Sequence, residues 1–143
     1  MLQNHDINIL NSIYKNSRMA IDCTKQVKKY CKNKDLSDYL ERQIGHYSEN
    51  CAMASRQIAA EGRKVEKIPF MQKAMAETGI RMKASGGDKS KIAELMYNGT
   101  NMGIVDISRT LNHSAHASQE TKSLANKLLD EEVKYADGLK KFL

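Results

Sequence analysis

The chain has 143 residues, a net charge of +6, one proline, no tryptophan and three cysteines. That length suits one domain able to bury about two-thirds of its unfolded surface, and the wealth of Ala, Lys, Leu, Glu, Gln and Met favours helix over sheet. No apolar run is long enough to span a membrane, the N-terminus lacks the basic-then-apolar pattern of a signal peptide, and the odd cysteines show no CxxC spacing. An intracellular, cytoplasmic protein with reduced thiols is expected.

The first predicted helix covers residues 4–32. Its inward positions step by three and four through Ile7, Leu10, Tyr14, Ser17, Ile21 and Thr24, flanked by Ile13, Ala20 and Val27. Asn33 and Lys34 form the turn. The second helix, 35–61, takes Asp35 as its N-cap and ends before Gly62. Its stripe is Leu36, Leu40, Gln43, Ile44, Tyr47, Cys51, Ala54 and Ile58.

Residues 63–87 differ in character. A polar lead-in reaches Pro69, and a short amphipathic helix over 70–84 places Met71, Ala74, Met75, Thr78 and Met82 on one side. Ser85-Gly86-Gly87 then break the chain. The segment is too long for a tight helical turn and suits a crossover running the length of a bundle. The third helix, 88–112, is capped by Asp88, with Ile92, Met96, Gly99, Gly103, Ile107 and Thr110 inward. The fourth, 118–142, is capped by Ser118 and presents Leu124, Leu128, Glu132, Tyr135, Leu139 and Phe142.

Two hairpins joined by one long crossover predict an all-α, up-down-down-up four-helix bundle, and a single long crossover marks ferritin-like folds. The hairpin of the first and second helices, then "EGRKVEKIP", a short Met-rich helix, "SGGD" and the hairpin of the third and fourth helices resemble a bacterial family of uncharacterised ferritin-like bundles, relatives of rubrerythrin-type and spore-coat-F-type domains. The resemblance covers nearly the whole chain. It implies a ferritin-like fold, and spore association is compatible with it.

A ferritin-like di-iron site takes one glutamate from each of two helices and an ExxH pair from each of the other two. Hard carboxylates neutralise and bridge the two ions while imidazoles complete each shell. The chain contains no ExxH. Counting from the turns predicts two mid-bundle layers, one of Thr24, Gln43, Met96 and Tyr135, the other of Ile21, His46, Gly99 and Glu132. Gln43-xx-His46 and Glu132-xx-Tyr135 then fall where the two ExxH pairs belong. Thr24 and Gly99 stand where the single glutamates belong. One histidine and one carboxylate are too few for a di-iron centre.

Two readings of this layer are open. One is an altered or mononuclear iron or zinc site at His46 and Glu132, with Gln43 and Tyr135 beside them. The other, preferred, is a buried hydrogen-bond cluster pairing Gln43 with Thr24 or Tyr135, His46 with Glu132, and Ser17 with Asn50, since buried polar groups need partners. Gly99 and Gly103 form a GxxxG on the inner face of the third helix, explained by close helix approach or room for Tyr47 and Tyr135, the preferred account, or by a small ligand cavity beside His46 and Glu132. A further zinc candidate is His113-xx-His116-xxx-Glu120 at the last turn.

Residues 1–64 carry 11 basic and 7 acidic side chains, residues 88–143 carry 8 of each, and five lysines cluster at Lys25, Lys28, Lys29, Lys32 and Lys34. No aromatics punctuate that cluster as a single-strand binder requires, so nucleic acid is not the expected partner. No Ser-His-Asp arrangement, phosphate loop or nucleotide fingerprint is present. The expectation is a non-catalytic structural or interaction protein, acting as a homo-oligomer, most simply a dimer, with no cofactor. Metal binding or storage at an altered site is the alternative.

Overall fold

A computed structural model of the chain describes residues 2–68 and 79–143. Among these the structure is all helical and contains no strand: α1 spans Asn4–Lys28, α2 Lys34–Ala60, α3 Lys89–Asn112 and α4 Gln119–Leu139, followed by a 3-10 turn at Lys140–Phe142. Residues 79–84 are helical too. Of the expected crossover helix, Met71, Ala74, Met75 and Thr78 lie outside the described residues. The remaining part packs through buried Ile80 and Ala84, and Met82 points to solvent.

The helix ends follow from local chemistry. Asp88 accepts from the Ser90 and Lys91 amides, and Ser118 accepts from the Thr121 amide at 3.2 Å; both satisfy amide donors that a helix N-terminus leaves open. The expected cap at Asp35 belongs instead to Asn33, whose side chain accepts from the Leu36 amide at 2.9 Å. α1 correspondingly stops at Lys28 rather than 32, and residues 29–33 turn the chain. Gly87 adopts φ +72°, and a Cβ there would sit 3.1 Å from the Tyr30 carbonyl; only glycine takes that backbone freely this close to a neighbour.

α1 packs on α2, α3 packs on α4, and α1 also meets α3 and α4, forming a helical bundle. Particular pairs set the register. Lys28 of α1 pairs with Glu41 of α2, Ser12 of α1 reaches Asp106 of α3 at 3.0 Å, and Tyr39 of α2 donates to the Tyr135 carbonyl of α4 at 2.9 Å.

The core is strongest at the two ends. One apolar cluster gathers Val27, Leu36, Leu40, Ile80, Ile92, Met96, Leu139 and Phe142. The other gathers Ile9, Leu10, Ile13, Ala54, Ile58, Ile107 and Leu128. Between them lies a thinner group of Ile21, Ile44, Tyr47 and Cys51. Several buried polar side chains share this middle zone, and the candidate site is there.

Two stripes are turned relative to the sequence expectation. On α3 the buried positions are Ile92, Ala93, Met96, Thr100 and Ile107, so Gly99 and Gly103 do not lie on the innermost face; Gly99 is exposed and Gly103 half-buried. On α4 Ala125 and Ala136 are buried, while Leu124 and Tyr135 are half-buried. One residue along a helix rises only 1.5 Å but rotates the side chain by about 100°. A height counted from the turns therefore survives such an error, and the facing does not.

Candidate functional site

The first predicted layer is largely assembled: Thr24, Gln43 and Met96 are buried, with Tyr135 half-buried at its side. Its expected hydrogen bonds are not. The Thr24 hydroxyl donates to the Ala20 carbonyl at 2.6 Å within its own helix. Burial raises the Tyr39 phenol's pKa and the nearby Gln43 amide only partly opposes that rise; among the described residues neither Gln43 Nε2 nor Oε1 has a hydrogen-bond partner of ordinary geometry. Ser17 is buried, and no bond between it and Asn50 occurs among the described residues.

In the second layer Ile21 and Glu132 are buried as expected. His46 is exposed, and its ring leans on Tyr135 with centroids 5.6 Å apart. Tyr47 takes the inward place, one residue further on. Its hydroxyl donates to Glu132 Oε2 at 2.9 Å, and its ring meets Tyr135 edge-on at 5.8 Å. Thr100 likewise replaces Gly99 on the inner side, its hydroxyl donating to the Met96 carbonyl at 2.9 Å. The Tyr47–Glu132 pair was within reach of sequence reasoning, because Tyr47 lies on α2's apolar stripe and a buried phenol needs a polar partner.

Glu132 is 8% exposed. Burial pushes its carboxyl pKa up to about 7, the Tyr47 hydrogen bond pulling the other way and neighbouring Glu131 adding a small rise. Tyr47 is shifted far upward, by burial first and then by the charge of Glu132. Tyr135 is also raised, by burial and by Glu131 and Glu132. Glu132 therefore exchanges its proton near neutrality, and such perturbed groups in clefts mark candidate sites.

A cleft of about 860 Å³ opens onto this pair, with Tyr47 and Glu132 in its lining. Met19, Val27, Ile80, Leu95 and Met96 supply apolar wall, and Gly99 and Gly103 line it as well. A Cβ on Gly99 would meet nothing within 4 Å among the described residues, and one on Gly103 would lie 3.7 Å from Asn16 Oδ1. Close helix approach thus does not account for Gly99, although glycine inside a helix costs about 1 kcal/mol relative to alanine. The structure places both glycines on the wall of a cavity, beside Glu132 but not beside an inward His46.

The donor set at mid-bundle does not fit two metal ions. Among the described residues this zone holds the Glu132 carboxyl, the Tyr47 and Tyr135 phenols, the Gln43 amide and the Ser17, Thr24 and Thr100 hydroxyls, and His46 is exposed. Among the described residues no three His, Cys, Asp or Glu side chains converge. The second candidate does not assemble as expected either. His113 Nδ1 lies 2.8 Å from the Arg109 carbonyl. His116 instead pairs with His5, ring centroids 5.3 Å apart, its amide donating to His5 Nδ1 at 3.2 Å. Glu120 is exposed in the first turn of α4. Of the lysine cluster, Lys28 and Lys34 are held by Glu41 and Asp38.

The end of the molecule where His5 meets His116 holds a buried carboxylate that sequence reasoning missed. Asp6 Oδ1 accepts from the Ser118 amide at 2.8 Å and the Ser118 hydroxyl at 2.9 Å, while Oδ2 accepts from the Gln3 amide at 3.0 Å. The only local signal was an acidic residue in the first turn of a helix.

No family model, no curated protein and no solved structure matches the chain. No helix among the described residues is long and apolar enough to cross a membrane.

Proposed function

We propose that this chain is a ferritin-like bundle of up-down-down-up topology, related to rubrerythrin-type and spore-coat-F-type domains, that works by binding and assembly rather than by dinuclear metal chemistry. The observation that carries this reading is the mid-bundle carboxyl. Glu132 is bonded to a phenol, Tyr47 Oη, and the imidazole that would complete a metal shell lies on the outside. The topology is supported by the register pairs: residue 28 with 41, 12 with 106, and 47 with 132. Each is the pairing expected of antiparallel neighbours.

Homodimer formation belongs to the same reading. Met102 and Val105, three residues apart on α3 in the lining of the mid-bundle cleft, are 73% and 53% exposed, an apolar pair that a second copy of the chain would cover at the rim of that cleft. Light scattering of the chain and of Met102→Glu tests it, with a dimer expected for the first and a monomer for the second.

Metal analysis of untagged protein as isolated, followed by iron and zinc titration, tests the main reading. Less than one metal per chain and no saturable binding is expected. A stoichiometric metal that is lost in Glu132→Gln or His46→Ala overturns it in favour of metal binding or storage.

A further inference from the structure

We propose that the mid-bundle cleft is a binding site for a small organic amine, with the ammonium group donating to Glu132 Oε1 and an apolar body lying along Met19, Leu95 and Met96 beside Gly99. This rests on the preceding reading in one respect: Glu132 must lie outside any metal centre.

Three independent features point to such a ligand. The first is the carboxyl itself. Glu132 is more than nine-tenths buried and lines the cleft. Oε2 is occupied by the Tyr47 hydroxyl, and among the described residues no hydrogen bond reaches Oε1. A buried carboxylate with an unused oxygen asks for a donor, and a charged donor satisfies it best.

The second is the shape and chemistry of the walls. The cleft is of a size that encloses small organic ligands, and its sides are largely apolar side chains. Gly99 keeps it open where any other residue would project a side chain. The third is the pattern of charge. Lys83, Arg109 and Asp106 are in the lining but solvent-exposed, and Asp106 is engaged by Ser12 and Asn16. Among the described lining residues the deeply buried acid is Glu132, and once ionised it repels an anionic ligand and attracts a cationic one. A bare metal ion is a poor fit, because hard cations require several oxygen ligands and among the described residues no three His, Cys, Asp or Glu side chains converge.

The test is calorimetric titration of the full chain with hexylamine, hexanol and hexanoate at pH 8, where Glu132, with a pKa near 7, is mostly ionised. Metal content is measured on the same preparation. Hexylamine is expected to bind one per chain, about tenfold or more tighter than hexanol, and hexanoate more weakly than either. Glu132→Gln is expected to weaken hexylamine about tenfold and leave hexanol unchanged. Gly99→Leu, which fills the cleft from a position with free space around it, is expected to weaken both. Equal affinity for hexylamine and hexanol, full hexylamine binding by a folded Glu132→Gln variant, or no hexylamine binding by metal-free protein overturns the proposal. In metal-free protein these failures leave the preceding reading standing. Stoichiometric metal at Glu132 removes both.

Discussion

Two buried carboxyl groups in this molecule behave in opposite ways. Asp6, 2% exposed, lies where the start of α1 meets the α3–α4 turn; Glu132, 8% exposed, lies at mid-bundle. Burial by itself raises the pKa of both. At Asp6 that rise is outweighed by hydrogen bonds from the Ser118 and Gln3 amides and by the Thr121 and Ser118 hydroxyls, and the carboxyl is held at about 2. At Glu132 one phenol donates, and the carboxyl stays near 7. Donor number and depth below the surface together decide whether a buried acid is a structural anion or an exchangeable proton: Asp6 has several donors close to the surface, Glu132 one donor deep in the bundle. Asp6 is a fully satisfied latch between chain segments 112 residues apart; Glu132 keeps an oxygen unused beside a cleft.

The contrast can be broken from either side. The largest effect is expected from Asp6→Ala, which removes three hydrogen bonds to a charged group and leaves the Ser118 amide without its acceptor. Chemical denaturation should show a loss of roughly 3–4 kcal/mol. Because Asp6 has a folded pKa below its ordinary value of 3.8, its contribution is present above about pH 4 and fades as pH falls toward 2. Acid unfolding of the variant should lose that component.

Glu132 has the opposite sign. The folded protein keeps this proton up to about pH 7, and the unfolded chain releases it near 4.5. Folding takes up a proton between those values, and stability declines as pH rises through the window. Glu132→Gln should abolish that decline and exceed the parent at pH 8 by up to about 3 kcal/mol. An unchanged slope in the variant would show that Glu132 is not the group responsible.

A smaller effect is expected at Gly138. A Cβ there would collide with the Tyr39 hydroxyl and ring, displacing the bond to the Tyr135 carbonyl. Gly138→Ala should destabilise the fold by about 1 kcal/mol despite alanine's better helix propensity. The smallest stability change belongs to Tyr47→Phe, about 1 kcal/mol at pH 5. Its sharper reading is the Glu132 carboxyl titration by NMR, whose midpoint should move above 7 once its one donor is gone.

Much of the helical layout was legible because its signals are local. The apolar stripe of α2 from Leu36 to Ile58 is buried position by position. Asp88 and Ser118 cap as their types require, and Gly62 ends α2 with φ +70°. The candidate site was half legible. Glu132, Gln43 and Thr24 are buried at mid-bundle as their heights demanded, but His46 and Gly99 yielded their places to Tyr47 and Thr100. A one-residue difference is lost in a count of levels and decisive for facing, since it turns a side chain by more than a quarter of the helix.

The amino-acid order alone therefore determined where the four long helices lie, to within a few residues at the end of α1, and that the bundle's middle is poorer in carboxylates than a di-iron centre needs. Periodicity, caps and the missing ExxH are properties of neighbouring residues. Tertiary structure alone decided that Tyr47, not His46, is the partner of Glu132, that Asp6 holds Ser118, and that Gly99 borders space free of the other described residues. Those contacts depend on how whole helices rotate and settle against each other, and that is set by the sum of many packing interactions.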